Sequence, residues 1–432
     1  MRLKCKLPGV LALSVAGTVA LGGVFGATSA MAEKATKHCA GTGIEGQGSS
    51  LQKIAQENVW IPAFEKVGGV CPGVTVKYLT SSSGTGQNEW NANGGAKTPA
   101  GSGDSFIGSD EPLTLTQMEN IGTAAGGKLT QTIVIPVAQA AVAVIVNPPS
   151  GCTITRIGNA DLQKVWNGTI TKWEGILTAS GSCSGAITRV VRKDKSGTTF
   201  VFKEYLENAA LGVVTCNGSW KTLAQPANNQ VWPENGLGTC AGLSALKEAT
   251  NTGGGGEAEE VRATSGSIGY ANLGDARALF TDEEGNKYHW LEVQNDGTET
   301  EEEAGEERTF AYPGVGTEPS LTVGKANCAE TNYGATLPGV ETNDDWSAIS
   351  GAHVEAENYP ICTLTYDVAL ASYEKAGFVK ATEVGQTTSD YLKYVVKETT
   401  GQSEVGTNHD YDALPKNVNT VAEGLAKLVA ES

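Results

Sequence analysis

Residues 192–200 read RKDKSGTTF, an arginine and an aspartate followed by a Ser-Gly-Thr run that opens an apolar segment. The grouping suits a small oxyanion. Arg192 offers two parallel charge-assisted hydrogen bonds. Ser196, Gly197 and Thr198 supply neutral N–H and hydroxyl donors where FVFKEYL (200–206) begins a helix. Three further segments carry the same ingredients: GQGSSLQ (46–52), SSSGTG (81–86) and FIGSDEPL (106–113). Taken singly, each reads as a helix cap or a turn. Together they put hydroxyls and glycines at the ends of strands and the starts of helices, the edge at which open α/β sheets bind ligands.

The surrounding pattern supports such a sheet. Leu51, Ile54, Ala55 and Val59 recur at helical spacing, and VTVKYL (74–79) alternates as a strand does. A helix is expected from Leu113. TIVIP and AAVAVIVN, within 132–147, read as buried strands. DLQKVWNGTITKW (161–173) gives a helix and turn, and GSIGYANL (266–273) a strand. Alternation of this kind implies an α/β architecture with a mixed or mainly parallel sheet. NTGGGGEAEEVR (251–262) reads as a flexible polar loop, and TETEEEAGEE (298–307) as a solvated acidic insertion without EF-hand spacing.

The chain of 432 residues opens with Met1-Arg2-Leu3-Lys4, an apolar run to Met31 and the small-residue site Ala30-Met31-Ala32. That is the pattern of a secretory signal peptide over 1–32 rather than an uncleaved anchor. Of nine cysteines, Cys5 lies in the leader, leaving Cys39, Cys71, Cys152, Cys183, Cys216, Cys240, Cys328 and Cys362. An even number in an exported chain argues for disulfides. Sequence neighbours are the expected pairs (39–71, 152–183, 216–240, 328–362), because each closes a local loop. With no CxxC and four histidines in no ligand spacing, a zinc cluster is not expected. The formal net charge of −17 argues against nucleic acid and anionic membranes as partners. It leaves room for a small anion held by aimed N–H groups and one arginine.

Other motifs fail on context. GTGIEG (41–46) fits GxGxxG but follows the leader rather than a strand, and SLQK (50–53) fits SxxK without its SDN and KTG partners.

The four segments, with VWNGTITKW (165–173), SIGY (267–270), YPICTLTY (359–366) and YDALP (411–415), resemble the phosphate-binding protein of the phosphate ABC importer, a periplasmic-type solute receptor family. The similarity runs over most of the chain beyond the leader, and RKDKSGT is its most specific element. It implies a two-lobed periplasmic-binding-protein-like fold of type II, hinged between lobes that close on a dehydrated phosphate. The first lobe would comprise 41–135 and 358–432, and the second 136–357 with the acidic insertion. By motif, Ser50 and Leu51 match the first anion loop. Ser83, or Ser82 one register earlier, matches the second. Asp110 matches the buried acid. Arg192, Ser196, Gly197 and Thr198 match the cluster from the other lobe, and Asp194 the acid that orients the arginine. Ser50-Leu51 stands where the family more commonly has Thr-Phe.

The resemblance implies an extracytoplasmic receptor, not an enzyme, without cofactor or metal. Its partners would be inorganic phosphate and the importer's membrane subunits, and a monomer is expected because lobe closure needs no second copy. The competing readings are a secreted phosphatase, which lacks an evident base for a serine nucleophile, and a receptor for sulfate or molybdate. An adhesive protein that had lost its ligand is a third. Asp110 argues against sulfate: an ionised carboxylate only accepts hydrogen bonds, and sulfate at neutral pH has no proton to give.

Overall fold

The most apolar stretch of the sequence is also the strand that organises the fold. Thr132–Asn147 is a single extended segment, buried at every position up to a half-buried Asn147. The computed structural model describes residues 39, 41–66, 68–95, 97–124, 130–209, 230–232, 246–281, 287–296, 308–328, 333, 337–338, 345–349 and 357–430. The leader, the expected Cys216–Cys240 pair and the acidic run at 298–307 lie outside the described residues.

With β1 as Ile44–Gly48, β2 as Val76–Thr80, β3 as Phe106–Ser109 and β4 as Thr132–Asn147, the main sheet runs β2, β1, β3, Cys362–Leu370, β4, Ser267–Asn272, Thr188–Val191, Leu246–Glu248. β1 lies parallel to β2 and β3. The returning strand Cys362–Leu370 is antiparallel to both β3 and β4. The mixed α/β sheet expected from the sequence is therefore present.

β4 changes partner along its length. Thr132–Ala141 pair with Cys362–Leu370, whereas Val142–Asn147 pair with Ser267–Asn272. One strand thus serves both lobes of a two-lobed α/β fold. Where the sequence suggests two strands, the structure has one with a flaw in its pairing. Pro136 has no N–H to give, and the register against Thr365 and Tyr366 shifts there, leaving Val137 unpaired in the ladder. The orphaned Val137 carbonyl accepts from Gln402 Nε2 at 2.7 Å; the same nitrogen reaches the Val395 carbonyl at 2.9 Å, and Gln402 Oε1 accepts from Leu414 N–H at 2.8 Å.

A second departure concerns 251–262. Instead of a flexible loop, the structure has a helix over Gly253–Ala263 that buries Glu257, Ala258 and Val261. Its glycines serve close approach. A Cβ on Gly254 would sit 2.3 Å from Asp275 Oδ2, and one on Gly256 2.6 Å from the Asn251 backbone. Packing here overrides the poor helix propensity of glycine.

Each lobe has its own aromatic core. Phe64, Phe106 and Tyr391 meet in one, and Trp166, Phe202, Trp232 and Tyr270 in the other. Disulfides join Cys39 to Cys71, Cys152 to Cys183 and Cys328 to Cys362, as the spacing predicts. Among the described residues, no helix is long and apolar enough to cross a membrane.

The bulge support is testable. Gln402→Ala strands the Val137 carbonyl and the Leu414 N–H, so a loss of about 2–3 kcal/mol is expected in denaturant titration. An unchanged midpoint would show that the bulge needs no such partner.

Candidate functional site

In the lobe built on β1 to β3, the chain turns at the ends of three neighbouring strands. Gly48, at φ +148°, permits the first turn: a Cβ there would lie 2.1 Å from the Gly108 carbonyl oxygen. Ser49, Ser50 and Leu51 follow. After β2, Ser82 caps the Ser83–Glu89 helix, its hydroxyl accepting from Thr85 N–H at 3.2 Å. Asp110 follows β3 and is 2 % exposed.

Three hydroxyls surround Asp110. Ser49 Oγ lies 2.5 Å and Thr365 Oγ1 2.8 Å from Oδ1, and Ser83 Oγ lies 3.3 Å from Oδ2. Each hydroxyl oxygen already accepts from nitrogen. Leu51 N–H reaches Ser49 at 3.0 Å, Gln52 Nε2 reaches Thr365 at 2.7 Å, and Asp110 N–H reaches Ser83 at 3.1 Å. A hydroxyl that accepts from an N–H turns its one proton elsewhere, and here that direction is the carboxylate. Asp110 is thereby set as an acceptor. Burial raises its pKa, while Ser49, Thr365, the Arg192 charge and Ser83 act the other way.

Polar contacts continue behind Thr365. Gln56 Nε2 donates to Gln52 Oε1 at 3.1 Å and to the Asp367 carboxylate at 3.2 and 3.1 Å. Tyr391 donates to Gln56 Oε1 at 2.5 Å. Burial pushes Asp367 up to about 7 against the hydrogen bonds from Gln56 and Gln52.

The other lobe presents the guanidinium. Arg192 follows the Thr188–Val191 strand and meets Asp194 in a fork, Nε to Oδ1 at 2.9 Å and Nη2 to Oδ2 at 2.5 Å. Burial disfavours the arginine's charge, but Asp194 outweighs it and raises the pKa. Nη1 donates to Ser196 Oγ at 2.7 Å, and that hydroxyl caps the Gly197–Asn208 helix by accepting from Thr199 N–H at 3.2 Å. Gly253 N–H, opening the Gly253–Ala263 helix, binds Asp194 Oδ1 at 3.1 Å.

The lobes touch through these same residues. Ser50 Oγ accepts from Arg192 Nη2 and from Gly254 N–H, both at 3.3 Å. A Cβ on Gly197 would lie 2.4 Å from Ser83 Oγ and 2.7 Å from Asp110 Cβ, so only glycine lets the helix start come this close. Ser50, Leu51, Ser83, Asp110, Arg192, Ser196, Gly197 and Thr198 are all buried, and Asp194 is half-buried. Of the two serines left open by sequence, Ser83 faces Asp110 and Ser82 caps its helix. Sequence reasoning passed over Ser49, Gln52, Thr365, Gly253 and Gly254. Ser49 was signalled by the doubled serine in GSSL, and Thr365 by the alternation TLTY; the glycines were hidden by the loop reading.

A cluster of this kind, with many neutral donors, one arginine and one fixed acceptor, can hold a protonated oxyanion in the absence of water. A sequence profile for the PBP superfamily domain matches residues 33–399. The chain belongs to that superfamily. Among its superfamily relatives, the phosphate-binding protein PstS 3 of Mycobacterium leprae is 25% identical over 394 residues, covering 89% of this chain and 87% of the relative. PstS 2 of Mycobacterium tuberculosis is 27% identical over 257 residues, covering 56% of this chain and 62% of that protein. Two solved structures share the fold. A phosphate-binding protein from Stenotrophomonas maltophilia has a TM-score of 0.59 at 18% identity, over 88% of this chain and 93% of that one. A human phosphate binding apolipoprotein has a TM-score of 0.59 at 21% identity, over 87% and 92% of the respective chains.

Asp367 yields a pH prediction. A carboxyl whose folded-state pKa is raised favours folding while it holds its proton. Its contribution is therefore full below about pH 4 and is lost as pH rises towards about 7. Asp367→Asn should flatten that limb in thermal melts recorded across this range. An unaltered slope would mean that other groups take up the proton.

Proposed function

We propose that this chain is an extracytoplasmic receptor that takes one inorganic phosphate between its lobes and delivers it to the membrane subunits of an ABC importer. The observation that carries the reading is Asp110, fixed as an acceptor by three hydroxyls within reach of the Arg192 cluster. Phosphate-binding relatives that span most of the chain support it.

In this reading Arg192 holds two phosphate oxygens, oriented and partly neutralised by Asp194. Ser50, Ser196 and Thr198 offer hydroxyls and Gly197 a backbone N–H group, whereas the Ser83 hydroxyl and the Leu51 N–H, engaged with Asp110 and Ser49, would have to turn to the ligand as it binds. Ser50, now shared between Arg192 and Gly254, would turn its proton to the ligand. Asp110 takes the proton that phosphate keeps at neutral pH. Sulfate, with none, would set lone pairs against lone pairs in a dry site, an arrangement that costs several kcal/mol.

The lobes are assigned as 41–135 with 358–432, and 136–357. The receptor acts as a monomer without cofactor or metal. It binds and releases rather than turns over, a reading supported by relatives that are phosphate-binding proteins.

Calorimetric titration of the mature protein with phosphate, alone and in excess sulfate, tests this directly. Binding of one phosphate, indifferent to sulfate, is expected. No phosphate heat, or full competition by sulfate, would overturn the assignment. Asp110→Asn should cut the preference for phosphate over sulfate by about a hundredfold or more. A preserved preference would refute Asp110 as the discriminator. Arg192→Lys, which keeps the charge but loses the fork, should weaken phosphate binding by about tenfold or more.

A further inference from the structure

A side chain outside the anion cluster ties its two halves together. Gln230 lies on the Arg192 lobe, between the Gly197–Asn208 helix and the Leu246–Glu248 strand, and is 2% exposed. Its backbone carbonyl accepts from the N–H of Ser196, the residue that caps the anion-binding helix, at 2.9 Å. Its side chain crosses to the other lobe. Nε2 donates to Gln87 Oε1 at 3.0 Å and to the Glu111 carboxylate.

Both acceptors belong to the anion site's other wall. Gln87 is on the helix that begins at Ser83 and donates to Ser109 Oγ at 3.1 Å, and Glu111 directly follows Asp110. The surfaces are close-fitting at this point. Gly84 N–H donates to the Lys195 carbonyl at 3.2 Å, and a Cβ on Gly84 would lie 2.4 Å from Gln230 Oε1. Burial pushes Glu111 up to about 7, with the bond from Gln230 and the Lys203 charge acting the other way.

We propose that Gln230 is a closing clamp. It is a positioning residue that fixes Ser196 and the Arg192 cluster in register with Ser83 and Asp110, and so sets how fast the bound anion leaves. The inference rests on the receptor reading above. Its physical basis is that a hydrogen bond between lobes exists only when they are together, so it adds to the closed state and not to the open one. Interactions of this kind act on dissociation more than on association.

The test uses the full mature chain, with inorganic phosphate as the probe. Release is followed by stopped-flow tryptophan fluorescence, for which Trp232, stacked on Trp166 at a centroid distance of 5.1 Å, is a built-in reporter two residues from the clamp. Gln230→Ala retains the backbone bond to Ser196 and should release phosphate about tenfold faster, with little change in association. Its melting temperature without phosphate should match the parent's, and its phosphate-induced rise should be smaller. Measured well above the Glu111 pKa of about 7, where Gln230→Glu sets carboxylate against carboxylate, that variant should release faster still. Adding Glu111→Gln to that variant restores a donor–acceptor pair and should recover most of the loss.

Release at the parental rate in Gln230→Ala would overturn the clamp. So would a matching fall in phosphate-free melting temperature, or a double variant no better than Gln230→Glu alone. A parent protein with no phosphate signal would overturn the receptor reading and the clamp together, whereas a parent that binds normally isolates any failure to the clamp.

Discussion

A carboxylate held away from water is costly unless hydrogen bonds surround it, and Asp110 imposes that constraint on everything near it. Three hydroxyls answer it, but a hydroxyl helps only if its proton is aimed at the acid. Leu51 N–H, Gln52 Nε2 and the Asp110 N–H do the aiming by occupying the oxygens of Ser49, Thr365 and Ser83. Each of those donors is fixed by an element whose position the sheet sets. Thr365 belongs to the returning strand, Ser49 and Leu51 to the end of β1, and Ser83 to the helix after β2. The order β2, β1, β3, Cys362–Leu370 brings these strand ends side by side. The setting of Asp110 as an acceptor is in this sense a product of strand order, and a single misplaced strand would leave a buried acid without its donors.

The same dependence explains what could be read in advance. Local patterns sufficed for the strand ends and helix starts, because Ser-Gly-Thr after an arginine, or Ser-Asp after an apolar strand, speaks for itself. Ser50, Ser83, Asp110, Arg192 and Ser196 were singled out in that way, and the structure brings them together. Partners distant in the chain were not. Thr365 lies 255 residues from Asp110, and Gly254 lies 204 from Ser50. Nothing near them in sequence marks a contact that exists only after folding. The four-glycine run shows the opposite failure. Composition argued for a loop, but the glycines serve close approach to Asp275 and Asn251, and the buried face at Glu257, Ala258 and Val261 holds the helix. TIVIP and AAVAVIVN read as separate strands, and only the structure shows that they are one strand with a bulge beside Pro136 supported by Gln402.

A chain with a formal net charge of −17 is at first sight a poor host for an anion. Distance and geometry resolve the conflict. Exposed acids more than a Debye length of about 8–10 Å away are largely screened. The charges that matter are buried and few, and Arg192 is paired with Asp194 in a fork that leaves the guanidinium nearly balanced. Attraction at such a site cannot come mainly from net charge. It comes from oriented neutral dipoles: hydroxyls, backbone N–H groups and the start of the Gly197–Asn208 helix. An arginine with no counter-acid would bind any anion, sulfate and phosphate alike. In the proposed receptor, neutralising it with Asp194 and adding Asp110 as an acceptor would shift the basis of recognition from charge to protonation. The acidic surface then costs the site little, and the two acids, buried Asp110 and half-buried Asp194, which at first look opposed to the function, are what would make it selective.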